Sequence, residues 1–221
     1  MVKLRHPAKY TDSFLPFFYE ELKDTDNVLD PMGGTGKIGR LKEYGYGGMI
    51  YSNELESEWA LQGYENGCDV ITMDDAESMA WEDGFFDAVC TSPTYGNRMA
   101  DSHHAKDGSK RNTYTHAIGR KLHEENTGKM QWGKNYQEKH KRIYIEIKRV
   151  LKSQGVFILN IKNHIRKGKE IDVSSFHKEL ILKNGFKLSK ELKIPVRGNG
   201  FGQNGNTRVD HEFIFIFEKE V

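Results

Sequence analysis

At 221 residues the chain is long enough to bury one sizeable hydrophobic core and short for two, so one domain spanning residues 1–221 is expected. Its 33 basic and 32 acidic residues nearly cancel, aromatic residues are frequent, and no apolar run approaches the ~18 residues of a membrane span. That excludes disordered and membrane-spanning classes. Cys68 and Cys90 are too few for a disulfide scaffold, and the first residues lack the basic-then-apolar pattern of a secretory signal, so a reducing cytoplasm is the expected setting.

Residues 6–21 read as a loop followed by a helix rich in Phe14, Leu15, Phe17 and Phe18. A first strand ends at Val28-Leu29-Asp30, and a helix opens at Gly36 and closes near Tyr44-Gly45. Residues 48–53 form a second strand, 56–66 a helix stopped by Gly67, and 69–72 a short third strand. The apolar run 86–91 is the fourth strand. Residues 98–135 show no steady period. A gap of that length is usually functional or disordered. From 98 to 142 there are eleven Lys/Arg against five Asp/Glu, in a chain of net charge +1. This basic insert therefore suits a polyanionic substrate. An amphipathic helix over 136–151 places Ile143, Ile147, Val150 and Leu151 on one face. After a turn at 153–155, residues 156–161 read as a strand buried on both faces. A helix over 174–184 and two closing strands, 187–196 and 211–218, complete the chain. The alternation predicts an α/β fold: a Rossmann-like, doubly wound, mostly parallel sheet with a closing antiparallel hairpin.

Gly34-Thr35-Gly36-Lys37-Ile38-Gly39 follows the first strand and opens a helix, and Glu54 ends the second strand. Glycines there let backbone approach a ligand, and an acid at that place can accept hydrogen bonds from ribose hydroxyls. A phosphate-binding P-loop is excluded, because Pro31 and Ile38 stand where it needs Gly and Ser or Thr. A nicotinamide dinucleotide and S-adenosylmethionine remain. Asp30 favours the second: a carboxylate at the strand tip repels a pyrophosphate and suits an ammonium group. Asp75, just past the third strand, can accept from an adenine amine or simply occupy a turn.

The fourth strand runs into Ser92-Pro93-Thr94-Tyr95-Gly96-Asn97. The carboxyl end of a strand is where ligands bind in such sheets. An exocyclic base amine is a poor nucleophile, because its lone pair is delocalised into the ring. The Ser92 hydroxyl and the Pro93 carbonyl can accept its two N–H groups and draw it toward tetrahedral geometry, while Tyr95 stacks on the ring. The base must leave a duplex to reach such a pocket.

Here the chain resembles the amino-methyltransferases of DNA, which methylate cytosine N4 or adenine N6 with S-adenosylmethionine. Their motif reads Asp, Asn or Ser, then Pro-Pro, then an aromatic; Ser92-Pro93-Thr94-Tyr95 matches except at Thr94. The first-position Ser is the form associated with cytosine N4. Asp30, Met32, Gly33, Gly34, Thr35 and Gly36 resemble the family's cofactor motif, and His6-Pro7-Ala8-Lys9-Tyr10 looks like the motif that closes over the cofactor. The segment 208–217 looks like the family's last strand. The resemblance implies a class I methyltransferase fold, with Ser92, Pro93 and Tyr95 catalytic, and Lys9, Asp30, Met32, Gly33, Gly34, Thr35, Gly36, Glu54 and Asp75 holding the cofactor.

Asn97, Arg98, Trp132 and Asn160 are candidate substrate contacts from their positions beside the motif, in the insert and at a strand tip. His103, His104, His116 and His123 match no zinc spacing, so no metal is expected. The expected partner is DNA, with RNA as an alternative carrier of the same amine and no membrane. Sequence choice would rest on the insert, a second copy of the chain or a separate specificity protein. A nicotinamide-dependent oxidoreductase and a catalytically weak nucleic-acid-binding module stay open as readings of another class.

Overall fold

A computed structural model describes residues 5–8, 11–97, 113–166, 168–196 and 208–221. A short 3-10 turn at Asp12–Phe14 leads into α1 (Leu15–Leu22), then β1 (Asn27–Asp30), a 3-10 helix at Lys37–Tyr44, and β2 (Met49–Asn53). Next come α2 (Ser57–Ala60), α3 (Gln62–Glu65), β3 (Val70–Thr72) and β4 (Phe86–Thr91). The insert contributes α4 (Tyr114–Ile118) and a 3-10 turn at Thr127–Lys129. α5 (Lys134–Val150), β5 (Leu151–Ile161), β6 (His164–Arg166), β7 (Lys169–Ile171), α6 (Val173–Lys183), β8 (Phe186–Pro195) and β9 (His211–Lys219) follow.

Seven strands form one sheet in the order β3-β2-β1-β4-β5-β9-β8. β1 to β5 pair in parallel, and β9 lies antiparallel between β5 and β8. The expected closing hairpin is therefore present, with β9 inside the sheet and β8 at its edge. Strand order reverses between β1 and β4, which opens a crevice at their carboxyl ends.

Side-chain alternation along each strand builds the two faces of the core. Leu29, Val89, Phe157, Leu159, Phe215 and Phe217 point to one face, where Ile143, Tyr144, Ile147 and Val150 of α5 and Ile181 of α6 cover them. Val28, Ile50, Ala88, Cys90, Ile158, Ile214 and Ile216 point to the other, under Phe14, Leu15, Phe18 and Leu22. Both cysteines are buried free thiols.

Three local expectations need correction, and one element is additional. The helix after Gly36 is 3-10, with Gly39 N donating to Gly36 O at 3.0 Å. The helix over 56–66 is broken at Leu61 into α2 and α3. The turn at 153–155 lies within β5 as a register irregularity, with Gln154 at φ 60. A small antiparallel hairpin, β6–β7, follows β5 and has no counterpart in the sequence reading. In the described part of the insert, Thr113 caps α4 by accepting from His116 N, and Asn126 caps the next turn by accepting from Gly128 N.

Candidate active site

A cavity of about 280 Å³ opens at the β1/β4 crevice. Asp30 to Thr35, Glu54, Asp75 and the turn Ser92 to Tyr95 line it together with Asn97. The strand tips explain the gathering. Parallel strands all end on one edge of the sheet, so the loops after β1, β2, β3 and β4 meet there.

The glycine turn is built for close approach. Gly33 N donates to Asn53 O at 2.8 Å, and a Cβ at Gly33 would sit 2.0 Å from Ser52 Oγ. Gly36 has φ +69, a left-handed conformation that glycine adopts without strain. Asn53, buried at the end of β2, ties the neighbouring loops together: its Nδ2 donates to Pro31 O and Asp74 O, and its Oδ1 accepts from Thr72 Oγ1 and Asp74 N.

Two buried carboxyls face the cavity. Asp30 Oδ1 accepts from Thr91 Oγ1 at 2.7 Å and from Met32 N at 3.1 Å. Glu54 accepts from Gly34 N at 2.9 Å and Glu56 N at 3.0 Å. Neither pairs with a cationic side chain among the described residues. Burial pushes each carboxyl up to about 7, opposed only in part by these hydrogen bonds. Asp75 differs: Lys139 Nζ donates to its Oδ2 at 2.6 Å. Glu77 and Glu125 converge on the same ammonium at 3.3 and 3.0 Å. The three carboxylates that lie close enough to hold a metal ion are thus bridged by a buried lysine.

At the other side, the Ser92 hydroxyl and the Tyr95 hydroxyl are hydrogen-bonded at 3.2 Å. Burial, with the Glu212 carboxylate nearby, holds the Tyr95 phenol above its ordinary range, so the ring stays neutral. Glu212, on β9, also lines the cavity and is pushed above the usual carboxylate range by burial. Asn160 Nδ2 donates to Glu212 Oε2 at 3.2 Å and to Phe213 O at 3.3 Å. Asn160 therefore stands behind Glu212, outside the cavity lining. Trp132 is likewise outside it: it packs against Phe176 and Tyr136, and its N donates to Gly96 O at 2.7 Å. Lys9, Arg98, His103 and His104 fall outside the described residues.

The insert roofs the site. Tyr114, Ile118 and Leu122 bury against Trp59, and the His6 ring meets Trp59 edge-on at 4.4 Å. Buried Glu56 anchors the roof, accepting from Arg120 Nη1 and His123 N at 2.7 Å each and from Asn126 Nδ2 at 2.9 Å. Sequence reasoning singled out neither Glu56, Trp59 nor Tyr114, and no motif marks them. Glu212 was signalled only as part of a strand resembling the family's last one.

The cavity fits S-adenosylmethionine on its own features. With no Cβ, Gly33 closes the turn onto Ser52 at the β2 tip, and the backbone of residues 30–35 itself lines the cavity. Asp30 and Glu54 are buried carboxyls with no cationic side-chain partner among the described residues, suited to a ligand carrying an ammonium, a sulfonium and ribose hydroxyls. Trp59 Nε1, in the lining, is buried with no acceptor among the described residues.

Comparisons with known proteins agree on the fold. A methyltransferase from Methanosarcina mazei, described as S-adenosylmethionine-dependent, superposes with TM-score 0.60 at 15% identity, over 93% of this chain and 98% of that one. The [4+2]-cyclase SpnF gives TM-score 0.63 at 14% identity, over 95% and 81%. A geranyl diphosphate methyltransferase gives 0.58 at 10%, over 94% and 77%. No curated protein matches the sequence. The family described as DNA methylase matches residues 86–221, from β4 and its Ser-Pro turn to the end of the chain. With more than half its length in that match, the chain belongs to the DNA methylase family, and it is an S-adenosylmethionine-dependent methyltransferase of class I fold.

Proposed function

We propose that this methyltransferase acts on an exocyclic amine of a DNA base, cytosine N4 ahead of adenine N6. One observation carries the reading: the Ser92-Pro93-Thr94-Tyr95 turn and the Asp30–Thr35 turn line one continuous cavity, with Gly36 just outside the lining. S-adenosylmethionine supplies an electrophilic methyl group to such a site. The protein's part is alignment. Asp30 would hold the ammonium end, and Glu54 the ribose hydroxyls. Ser92 Oγ and the Pro93 carbonyl would accept the two amine N–H groups, which pyramidalises the nitrogen and aims its lone pair. The neutral Tyr95 ring would stack on the extruded base. No strong base is required, because the amine proton becomes acidic once the nitrogen carries the methyl group and then leaves to solvent. Most of the rate enhancement would come from positioning.

DNA as the substrate is supported by the family match and by the excess of basic residues over 98–142. Part of that excess is spent inside the fold: Arg120 pairs with Glu56 and Glu58, Lys139 with Asp75, and Arg142 with Glu77. RNA presents the same amine and is the second reading. Recognition of a target sequence would rest on the insert, a second copy or a partner protein.

Incubation with methyl-labelled S-adenosylmethionine and unmodified DNA, followed by nucleoside digestion and mass spectrometry, tests this. N4-methyldeoxycytidine is expected, and N6-methyldeoxyadenosine would change only the base. Ser92→Ala and Tyr95→Ala should each lower transfer by about 10²-fold or more while cofactor binding persists. Label in RNA alone would overturn DNA as the substrate.

A further inference from the structure

We infer that a buried, one-directional chain of hydrogen bonds, Tyr144 to His177 to Tyr136, positions the catalytic turn through the Thr94 carbonyl. The inference rests on the reading of residues 92–95 as the amine-binding element. None of the three side chains lines the cavity, so they are positioning residues.

The direction of every bond follows from one atom. A carbonyl oxygen only accepts, so the Tyr136 hydroxyl donates to Thr94 O, at 2.5 Å. That commits the Tyr136 proton. The 2.8 Å contact between Tyr136 Oη and His177 Nε2 then requires Nε2–H as donor. A neutral imidazole protonated at Nε2 has Nδ1 as its acceptor, and the Tyr144 hydroxyl must donate to it, at 2.5 Å. Tyr136, Tyr144 and His177 are fully buried. Burial drives the His177 imidazolium form well out of reach, in agreement with a neutral ring.

Buried polar groups carry a desolvation cost that well-packed apolar side chains avoid. Phe and Leu at these places would fill the same space. What the polar chain adds is a fixed hydrogen bond at residue 94, where a threonine stands and a proline would stiffen the backbone by itself. Two further tethers act on the same turn. Thr94 Oγ1 donates to Thr127 Oγ1 at 2.9 Å, and Gly96 O accepts from Trp132 N at 2.7 Å. Helices α5 and α6 and the insert therefore hold from outside a turn whose own sequence leaves it free. Since chain members polarise one another, loss of one weakens the rest.

The test uses the full chain with Tyr136→Phe, His177→Gln and His177→Leu. Cofactor affinity is read by calorimetry with S-adenosylhomocysteine, and kcat and KM on unmethylated DNA. Tyr136→Phe is expected to lower kcat by about 10- to 100-fold, the scale of a misplacement near 1 Å, with affinity for S-adenosylhomocysteine unchanged. His177→Gln keeps a donor and an acceptor at its end and should recover most of the activity; His177→Leu should not. Unchanged kcat in Tyr136→Phe, equal behaviour of the Gln and Leu variants, or a loss of cofactor affinity equal to the loss of kcat would each overturn the proposal. Nitrogen-15 NMR of the His177 ring should show the neutral Nε2–H tautomer, and the Nδ1–H tautomer or an imidazolium would equally overturn it. That readout stands even where no DNA is methylated, which is a failure of the amine-methylation reading alone.

Discussion

Asp30 concentrates the electrostatics of the site in one side chain. It is buried, among the described residues it accepts only from Thr91 and Met32, and its carboxyl is pushed up to about 7. A carboxyl raised above its unfolded value opposes folding: the native state holds the proton more tightly, so this contribution to stability is lost as pH rises from the unfolded pKa, near 4, to about 7. Asp30→Asn keeps an acceptor for Thr91 and removes that burden. The variant should melt several degrees higher in the absence of ligand and bind S-adenosylmethionine at least about tenfold more weakly, measured by thermal melts and calorimetry. A weaker-melting Asp30→Asn with intact affinity would refute the assignment of Asp30 to the cofactor's ammonium. At the same scale Thr94 departs from the family's proline, and the departure is legible in sequence. Its compensation by Tyr136 is not, since residues 42 apart meet only when α5 folds against β4.

Among the elements, the β1 turn and the insert are held in contrasting ways. The turn relies on a missing side chain. Gly33→Ala would drive a Cβ to 2.0 Å from Ser52 Oγ and 3.2 Å from Ser52 Cβ, so the Ser52 hydroxyl must rotate away and the turn must draw back from β2 by a few tenths of an ångström. A cost of about 1–3 kcal/mol and loss of cofactor binding are expected, read by denaturant melts and calorimetry. The insert relies on buried charge. Glu56→Ala would strip three donors, Arg120, His123 and Asn126, of their acceptor. Residues 113–130 should then be cut faster in limited proteolysis while the sheet stays resistant; equal rates would show that Trp59 and Tyr114 suffice to seat the roof. Glu56 carries no sequence signal because its partners lie 64 to 70 residues away, in an insert without a motif. The strands were legible because parallel strands covered on both faces read as continuous apolar runs.

For the molecule as a whole, the proposed placement of the cofactor against Asp30 and Glu54 would couple its binding to pH through two carboxyls at once. Asp30 and Glu54 both titrate near 7, and a cationic ligand favours their ionised forms. The dissociation constant for S-adenosylmethionine should therefore rise by about tenfold per pH unit below 7 for each carboxyl that must release its proton, and level off above 8. A flat profile between pH 6 and 8 would show that neither group changes protonation on binding. Among the described residues no helix is long and apolar enough to cross a membrane.

The sequence by itself determined the sheet class and the family, and it marked the two turns that line one cavity, because these depend on local alternation and short motifs. Tertiary structure alone decided the rest. It turned Asn160 behind Glu212 and Trp132 toward Phe176. It set Lys139 among three carboxylates and the Tyr136–His177–Tyr144 chain behind the Ser92–Tyr95 turn. Those arrangements join residues far apart along the chain, and their physical cause is the shared burial of polar groups that must find one another once water is excluded.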